Sequence, residues 1–179
     1  LVPTGEPRPV PASLAPMQAE PGEAAFNHPD WMWEPKLDGY RALAFIDAKG
    51  VQLRSRRGLD LAKEFPRLAE ELGKQEVNAM VLDGEIVAFD AAGRPSFSAM
   101  QNRSQQTVFY CFDLVNFEGV DLRKLEYADR RRYLAQCLLP SPLVQLVHAA
   151  EDGVALHEAA MASGLEGVIG KRKDSRYES

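Results

Sequence analysis

The chain has 179 residues, 45% hydrophobic and 26% charged, enough for one ordinary domain or two small ones with a packed core and a soluble surface. Two distant cysteines, Cys111 and Cys137, and three scattered histidines argue against a disulfide framework or a zinc site and suit a reducing cytoplasm, and no run approaches the ~20 apolar residues of a membrane span. The net charge of −5 excludes a uniformly basic surface but not a local patch, and basic residues do cluster at Arg54, Arg56 and Arg57, at Arg123, Lys124 and Arg130 to Arg132, and at Lys171, Arg172, Lys173 and Arg176.

Residues 1–25 carry six prolines, a density that no regular helix or strand tolerates, so this stretch reads as an extended arm or interdomain linker. Leu1 is not an initiator methionine, so the chain is expected to be part of something longer. No basic-then-apolar leader opens it. The globular part is expected from about residue 26, with Trp31 near its start. Tyr40 to Ile46 reads as a buried strand that Gly50 turns back into Val51 to Ser55, an antiparallel hairpin. Leu61 to Leu72 has helical spacing, with Pro66 tolerable only in the first turn. Met80 to Leu82 precedes Asp83-Gly84-Glu85, and a strand follows over Ile86 to Phe89. Val108 to Val115 is rich in aromatic and β-branched residues and predicts a strand. Helices are predicted over Ala128 to Leu139 and Gly153 to Ser163, with short strands at Leu143 to Val147 and Val168 to Lys171. Arg130 to Arg132 reads as a solvated helix face. Hairpins outnumber crossovers, so the class is α+β with mainly antiparallel sheets.

Four polar clusters sit at strand ends or turns. In Lys36-Leu-Asp38-Gly39-Tyr-Arg41, a sharp turn can hold the lysine while Gly39 admits a ligand closely. A lysine nucleophile must shed a proton that an unperturbed side chain holds up to a pH of ~10.4, which desolvation or nearby cations can bring about. Asp83-Gly84-Glu85 pairs two carboxylates that can hold a hard cation or accept from ribose hydroxyls, and its apolar neighbours turn Glu85 inward. Phe112 in Phe112-Asp113-Leu114 can stack on a base. In Glu166-Gly167-Val-Ile-Gly-Lys171, alternation puts Glu166 and Lys171 on opposite faces of a regular strand, so they need not touch. Singly, these also read as a surface turn, a hairpin turn, core packing and a glycine turn before a basic tail.

Taken in this order and at these intervals, the four clusters resemble the covalent nucleotidyltransferase superfamily. Within it the look is that of ATP-dependent DNA ligases, specifically the ligase domain of bacterial ligase D. Glu34, two before Lys36, Ser55-Arg56-Arg57-Gly58 and Phe65-Pro66 add to it. The resemblance implies an adenylation-domain fold, ATP-grasp-like: two mainly antiparallel β-sheets packed together with flanking helices. It implies that Lys36 attacks ATP and carries AMP covalently, with Asp38 near the reacting phosphates. AMP then passes to a DNA 5′-phosphate, and the 3′-hydroxyl seals the nick.

By the same pattern Glu34 would select adenine, Arg41 and Glu85 would hold the ribose, Phe112 and Ile169 would sandwich the base, and Lys171 would face a phosphate. Glu166 and Asp83 would serve a Mg²⁺ or Mn²⁺ ion, and Ser55 and Arg56 would grip the 5′-phosphate of nicked or broken double-stranded DNA. Implied partners are fused polymerase or nuclease domains and an end-binding repair protein, in a bacterial cytoplasm at the nucleoid, with no membrane. The family continues into a Lys-x-Lys strand and an OB-fold barrel, so residues 26–179 are expected to be an adenylation domain truncated before both, and full ligation by this stretch alone is not expected. An RNA ligase, a GTP-using capping enzyme or a non-catalytic nucleotide-binding module are the competing readings; Glu34 and the Ser-Arg-Arg-Gly segment favour the DNA ligase.

Overall fold

A computed structural model describes residues 3–6, 13–102 and 106–179. Pro7, Pro9 and Pro11 of the expected arm lie outside the described residues. The elements run β1 (Trp31–Pro35), β2 (Tyr40–Asp47), β3 (Gly50–Ser55), α1 (Pro66–Leu72), β4 (Ala79–Ala88), β5 (Thr107–Phe117), β6 (Val120–Asp121), α2 (Tyr127–Cys137), β7 (Val144–Leu146), α3 (Gly153–Ala162) and β8 (Val168–Arg172), with a short 3-10 turn at Ser98–Gln101.

The larger sheet has the order β3-β2-β4-β5-β6, all antiparallel, with β7 added parallel to β5. β1 and β8 form a separate antiparallel pair. The α+β class and the two mainly antiparallel sheets with flanking helices are therefore as the sequence implied.

Alternation along β2 and β4 divides the larger sheet into two faces. Ala42, Ala44, Ile46, Leu82 and Ile86 point into the main core, which Leu68 and Leu72 of α1 and Leu134 of α2 complete. Burial of this apolar surface, at roughly 25 cal/mol per Å², is the main force holding the sheet to its helices. The opposite face carries Arg41, Asp83 and Glu85, which line a cavity. Gly84 is needed here because a Cβ would meet the Tyr110 carbonyl at 2.4 Å and the Phe109 ring at 2.6 Å.

Several boundaries differ from expectation for local reasons. α1 starts at Pro66 and not at Leu61, because proline has no N–H to donate and so fits the first helical position. Asp83-Gly84-Glu85 does not separate two strands but lies inside one ten-residue strand. β1 is a strand that Pro35 obscured in the sequence. α3 keeps its expected start because the Asp152 carboxylate accepts from the Ala155 N–H, and it closes where Gly164 takes φ +81°.

The run Arg130 to Arg132 is not a solvated face. Arg130 is 1% exposed and makes two bonds to Asp113, from Nε at 2.8 Å and from Nη2 at 3.1 Å. Arg131 points at Glu34, and Arg132 alone is exposed. Tyr127, Arg130, Leu134 and Leu138 recur at helical spacing, so Arg130 occupies the inward stripe of α2. No helix among the described residues is long and apolar enough to cross a membrane.

Candidate active site

The cavity lies between the site face of the larger sheet and the β1–β8 pair, with a volume of about 250 Å³. Arg41 stands opposite Glu85 in the β2–β4 register, which fixes the two side by side. Arg41 donates from Nε to Asp83 Oδ1 at 2.6 Å and from Nη2 to Asp83 Oδ2 at 2.7 Å, a bidentate pair. Burial alone would lower the Arg41 pKa, but the hydrogen bonds and charge of Asp83 outweigh it and raise it. Among the described residues Glu85 has no such bidentate partner. Burial pushes its carboxyl up to about 7, against the opposing pull of Arg41 and the Gly39 N–H.

Gly39 admits the close approach of protein backbone. A Cβ there would meet the Ile86 carbonyl at 2.0 Å. The glycine lets the turn after Lys36 press onto β4.

Phe112 reaches the cavity through a β-bulge. Asp83 pairs with Asp113 and Gly84 with Cys111, so Phe112 is the extra residue between them. The Arg41 guanidinium lies 4.7 Å from the Phe112 ring centroid and the Lys171 ammonium 4.6 Å from it. Across the cavity, β1 and β8 set Glu34 opposite Ile169. Glu34 is 2% exposed and accepts from Tyr127 Oη at 2.5 Å and from Lys171 Nζ at 2.7 Å, with Arg131 Nη1 at 3.7 Å. A carboxylate has about four acceptor positions, so Glu34 retains capacity for a further donor. Lys171 thus sits with Glu34 and Phe112 at the aromatic end of the cavity.

Lys36 stands at the edge, between Pro35 and Leu37, which line the cavity. Its N–H donates to the Gly167 carbonyl at 3.0 Å, continuing the β1–β8 ladder by one bond. Its ammonium meets Glu166 Oε1 at 2.5 Å, with the two side chains 49% and 58% exposed. Glu166 and Lys171 make separate pairs, Glu166 with Lys36 and Lys171 with Glu34. Asp38 is exposed nearby in sequence.

The structure thus brings together Glu34, Arg41, Asp83, Glu85, Phe112, Ile169 and Lys171 around one cavity, with Lys36 and Glu166 at its rim. Ser55 and Arg56 lie elsewhere, at the end of β3 and in the turn that follows it. There the Ser55 hydroxyl accepts from the Arg57 and Leu59 N–H groups, and Arg56 is exposed.

As for a metal, no group of three or more His, Cys, Asp or Glu side chains that could hold one occurs among the described residues. Asp83 is fully buried with both oxygens engaged, which does not suit a metal ligand. The exposed Glu166 carboxylate does, since Mg²⁺ commonly takes one or two carboxylates together with substrate phosphates and water.

Four site residues had no motif to announce them. Met17, Tyr127, Arg131 and Tyr177 all contact the cavity residues named above. For Tyr127 the signal was its place on the inward stripe of α2. For Met17 and Tyr177 the sequence carries no signal, because neither lies in a regular element.

The sequence model of the family described as "ATP dependent DNA ligase domain" matches residues 14–179. The multifunctional non-homologous end joining DNA repair protein LigD of Mycobacterium tuberculosis is 42% identical over 172 residues, which are 93% of this chain and 22% of that protein. The corresponding LigD of Pseudomonas aeruginosa is 39% identical over 158 residues, covering 84% of this chain and 19% of that one. The chain therefore spans about a fifth of the length of these relatives. A solved structure of mycobacterial DNA ligase D complexed with ATP and MES superposes with a TM-score of 0.80 at 38% identity, covering 93% of this chain and 56% of that one.

Proposed function

Because the chain belongs to the ATP-dependent DNA ligase domain family, we propose that its cavity binds ATP and that Lys36 takes AMP from it as the first step of DNA end sealing. The observation that carries this reading is the placement of Lys36, an amine with a carboxylate partner, at the rim of a cavity suited to adenosine. Phe112 and Ile169 offer two apolar walls for the base. A purine stacking on Phe112 replaces a cation contact with Arg41 or Lys171. Glu34 accepts from the adenine amine, and Arg41 and Glu85 meet the ribose hydroxyls.

In the chemical step the neutral amine of Lys36 forms a bond to the α-phosphorus. The bond from that phosphorus to the bridging oxygen breaks, and pyrophosphate leaves with the electron pair. Two protons leave the Lys36 ammonium in all, one before the attack to free the amine and one as the nitrogen–phosphorus bond forms, and both pass to solvent, to which the side chain is half exposed. Glu166 is the residue that would hold a divalent cation, which when bound offsets the charge of the phosphates. Asp38 lies near the reacting phosphates. Asp83, by contrast, we assign to holding Arg41.

AMP then passes from Lys36 to a DNA 5′-phosphate, and the 3′-hydroxyl displaces it. The turn at Ser55 and Arg56 is the candidate grip on that phosphate, since the arginine fork bonds phosphate oxygens bidentately. The relatives named above are called multifunctional non-homologous end joining proteins and are far longer than this chain, and on that ground we extend fused catalytic domains and an end-binding partner to the protein that contains it.

Intact-mass spectrometry after incubation with ATP and Mg²⁺ tests the reading. It expects a covalent increment of one adenylate group that is absent in Lys36→Ala. Reversible ATP binding with no increment would turn the site into a nucleotide-binding module, and an increment with GTP alone would turn it into a capping-type enzyme.

A further inference from the structure

The segment after β8 runs back over the cavity, and α2 holds it there. The first N–H groups of a helix have no partner within it, and Glu126 provides no side-chain cap for α2. Backbone carbonyls of the returning segment fill the role: Tyr127 N donates to the Ser175 carbonyl at 2.7 Å, and Ala128 N to that of Lys173 at 3.0 Å. The buried Arg130 adds a bond to the Ser175 carbonyl at 3.1 Å. Tyr177 N then donates to the Arg123 carbonyl at 3.0 Å. These bonds deliver the Tyr177 ring into an apolar contact with Val81 and Val115, with its hydroxyl facing Asp83.

The hydroxyl closes a ring of four residues drawn from four parts of the chain. Tyr177 Oη donates to Asp83 Oδ2 at 2.6 Å. Asp83 accepts both bonds from Arg41. Arg41 Nη2 also donates to the Met17 carbonyl at 2.8 Å, and the Met17 N–H donates to Tyr177 Oη at 3.2 Å. All four residues line the cavity.

We propose that Tyr177 is a positioning residue for nucleotide binding, which fixes Arg41 in its ribose-facing orientation through Asp83, with the Met17 main chain as the second brace. This rests on the reading of the cavity as an ATP site. Asp83 is buried beyond reach of water, so the number of donors on Oδ2 decides which way its carboxylate turns. Arg41 follows that carboxylate, because its guanidinium is held at two points by it. The hydrogen bonds from Tyr177 reach Arg41 through Asp83 and through the Met17 main chain.

The test compares equilibrium binding of ATP and 2′,3′-dideoxy-ATP by the full chain, unaltered and as Tyr177→Phe. The phenylalanine keeps the ring between Val81 and Val115 and removes only the hydroxyl. Loss of a hydrogen bond to a charged group predicts roughly tenfold weaker ATP binding. The dideoxy nucleotide offers Arg41 no ribose hydroxyl, so its affinity should fall far less and the preference for ATP should shrink. Installing 3-fluorotyrosine at position 177, which restores the hydroxyl, should restore the preference. Equal loss for both nucleotides, no loss for either, or no rescue would each overturn the proposal. An unaltered chain that binds neither nucleotide overturns the reading of the cavity itself, and the role of Tyr177 falls with it.

Discussion

Arg41 and Asp83 meet at 2.6 Å beneath the cavity with Asp83 wholly buried, whereas Lys36 and Glu166 meet at 2.5 Å at its rim with both side chains about half exposed. The distances are nearly equal and the energetic consequences are not. A buried pair has already borne the desolvation of two charges, so removing one partner strands the other. An exposed pair is screened by water and contributes on the order of 0–1 kcal/mol to stability. The same site therefore contains a cation that is fixed as part of the fold and a cation, the proposed nucleophile, that is held only by an exposed pair. Arg41 is braced by Asp83, the Met17 carbonyl and, through Asp83, Tyr177. Among the described residues the Lys36 side chain has one ion pair, with Glu166, and both partners are about half exposed.

The sharpest way to break this comparison is Lys36→Ala. The covalent adenylate should disappear entirely by intact mass, while stability to urea changes by less than about 1 kcal/mol. A large loss of stability would mean that the rim pair is structural after all. Asp83→Asn attacks the other pair, and urea unfolding should show a loss of about 3–5 kcal/mol, because Arg41 is left without its charge partner. A loss below about 1 kcal/mol would place the buried pair in the same class as the exposed one.

Glu85 sharpens the comparison through pH. Its carboxyl is raised to about 7 in the fold, chiefly by burial, so the folded state binds a proton more tightly than the unfolded one. Stability from this group is present below the ordinary carboxylate pKa and is lost as pH rises toward about 7. In Glu85→Gln that loss should vanish, making the variant's relative stability grow by at most about 3 kcal/mol between pH 4 and pH 8, read from urea midpoints. A difference that is flat with pH would show that Glu85 is ionised in the fold at no cost. The smallest effect belongs to Arg56, exposed like Lys36. Arg56→Ala should leave the adenylate intact, weaken binding to nicked DNA by about 1–2 kcal/mol, and reduce the slope of log affinity against log salt by about one. Equal loss of adenylation and DNA binding would contradict its assignment to the phosphate grip.

Lys36, Glu34, Arg41, Glu85, Phe112 and Ile169 could be singled out because their order and intervals along the chain carry the family pattern. Most helices and strands followed from spacing, proline and glycine, which act locally. Arg130 was misjudged because a charged side chain looks solvated until its partner is known, and its partner, Asp113, is far away in the chain. The partner of Asp83, Arg41, is equally distant and equally hidden from the sequence.

The sequence by itself determined which residues are candidates for the site, the α+β class and the approximate element boundaries, because these depend on residue type, order along the chain and short-range periodicity. Only the tertiary structure decided how those residues face one another. The bulge that turns Phe112 into the cavity is a property of two strands in register, invisible in either alone. The bracing of Arg41 joins residues 17, 41, 83 and 177, and no local rule links positions so far apart. Their meeting is fixed by the packing of α2 and β4 against the returning chain, where buried polar groups must find partners or stay costly.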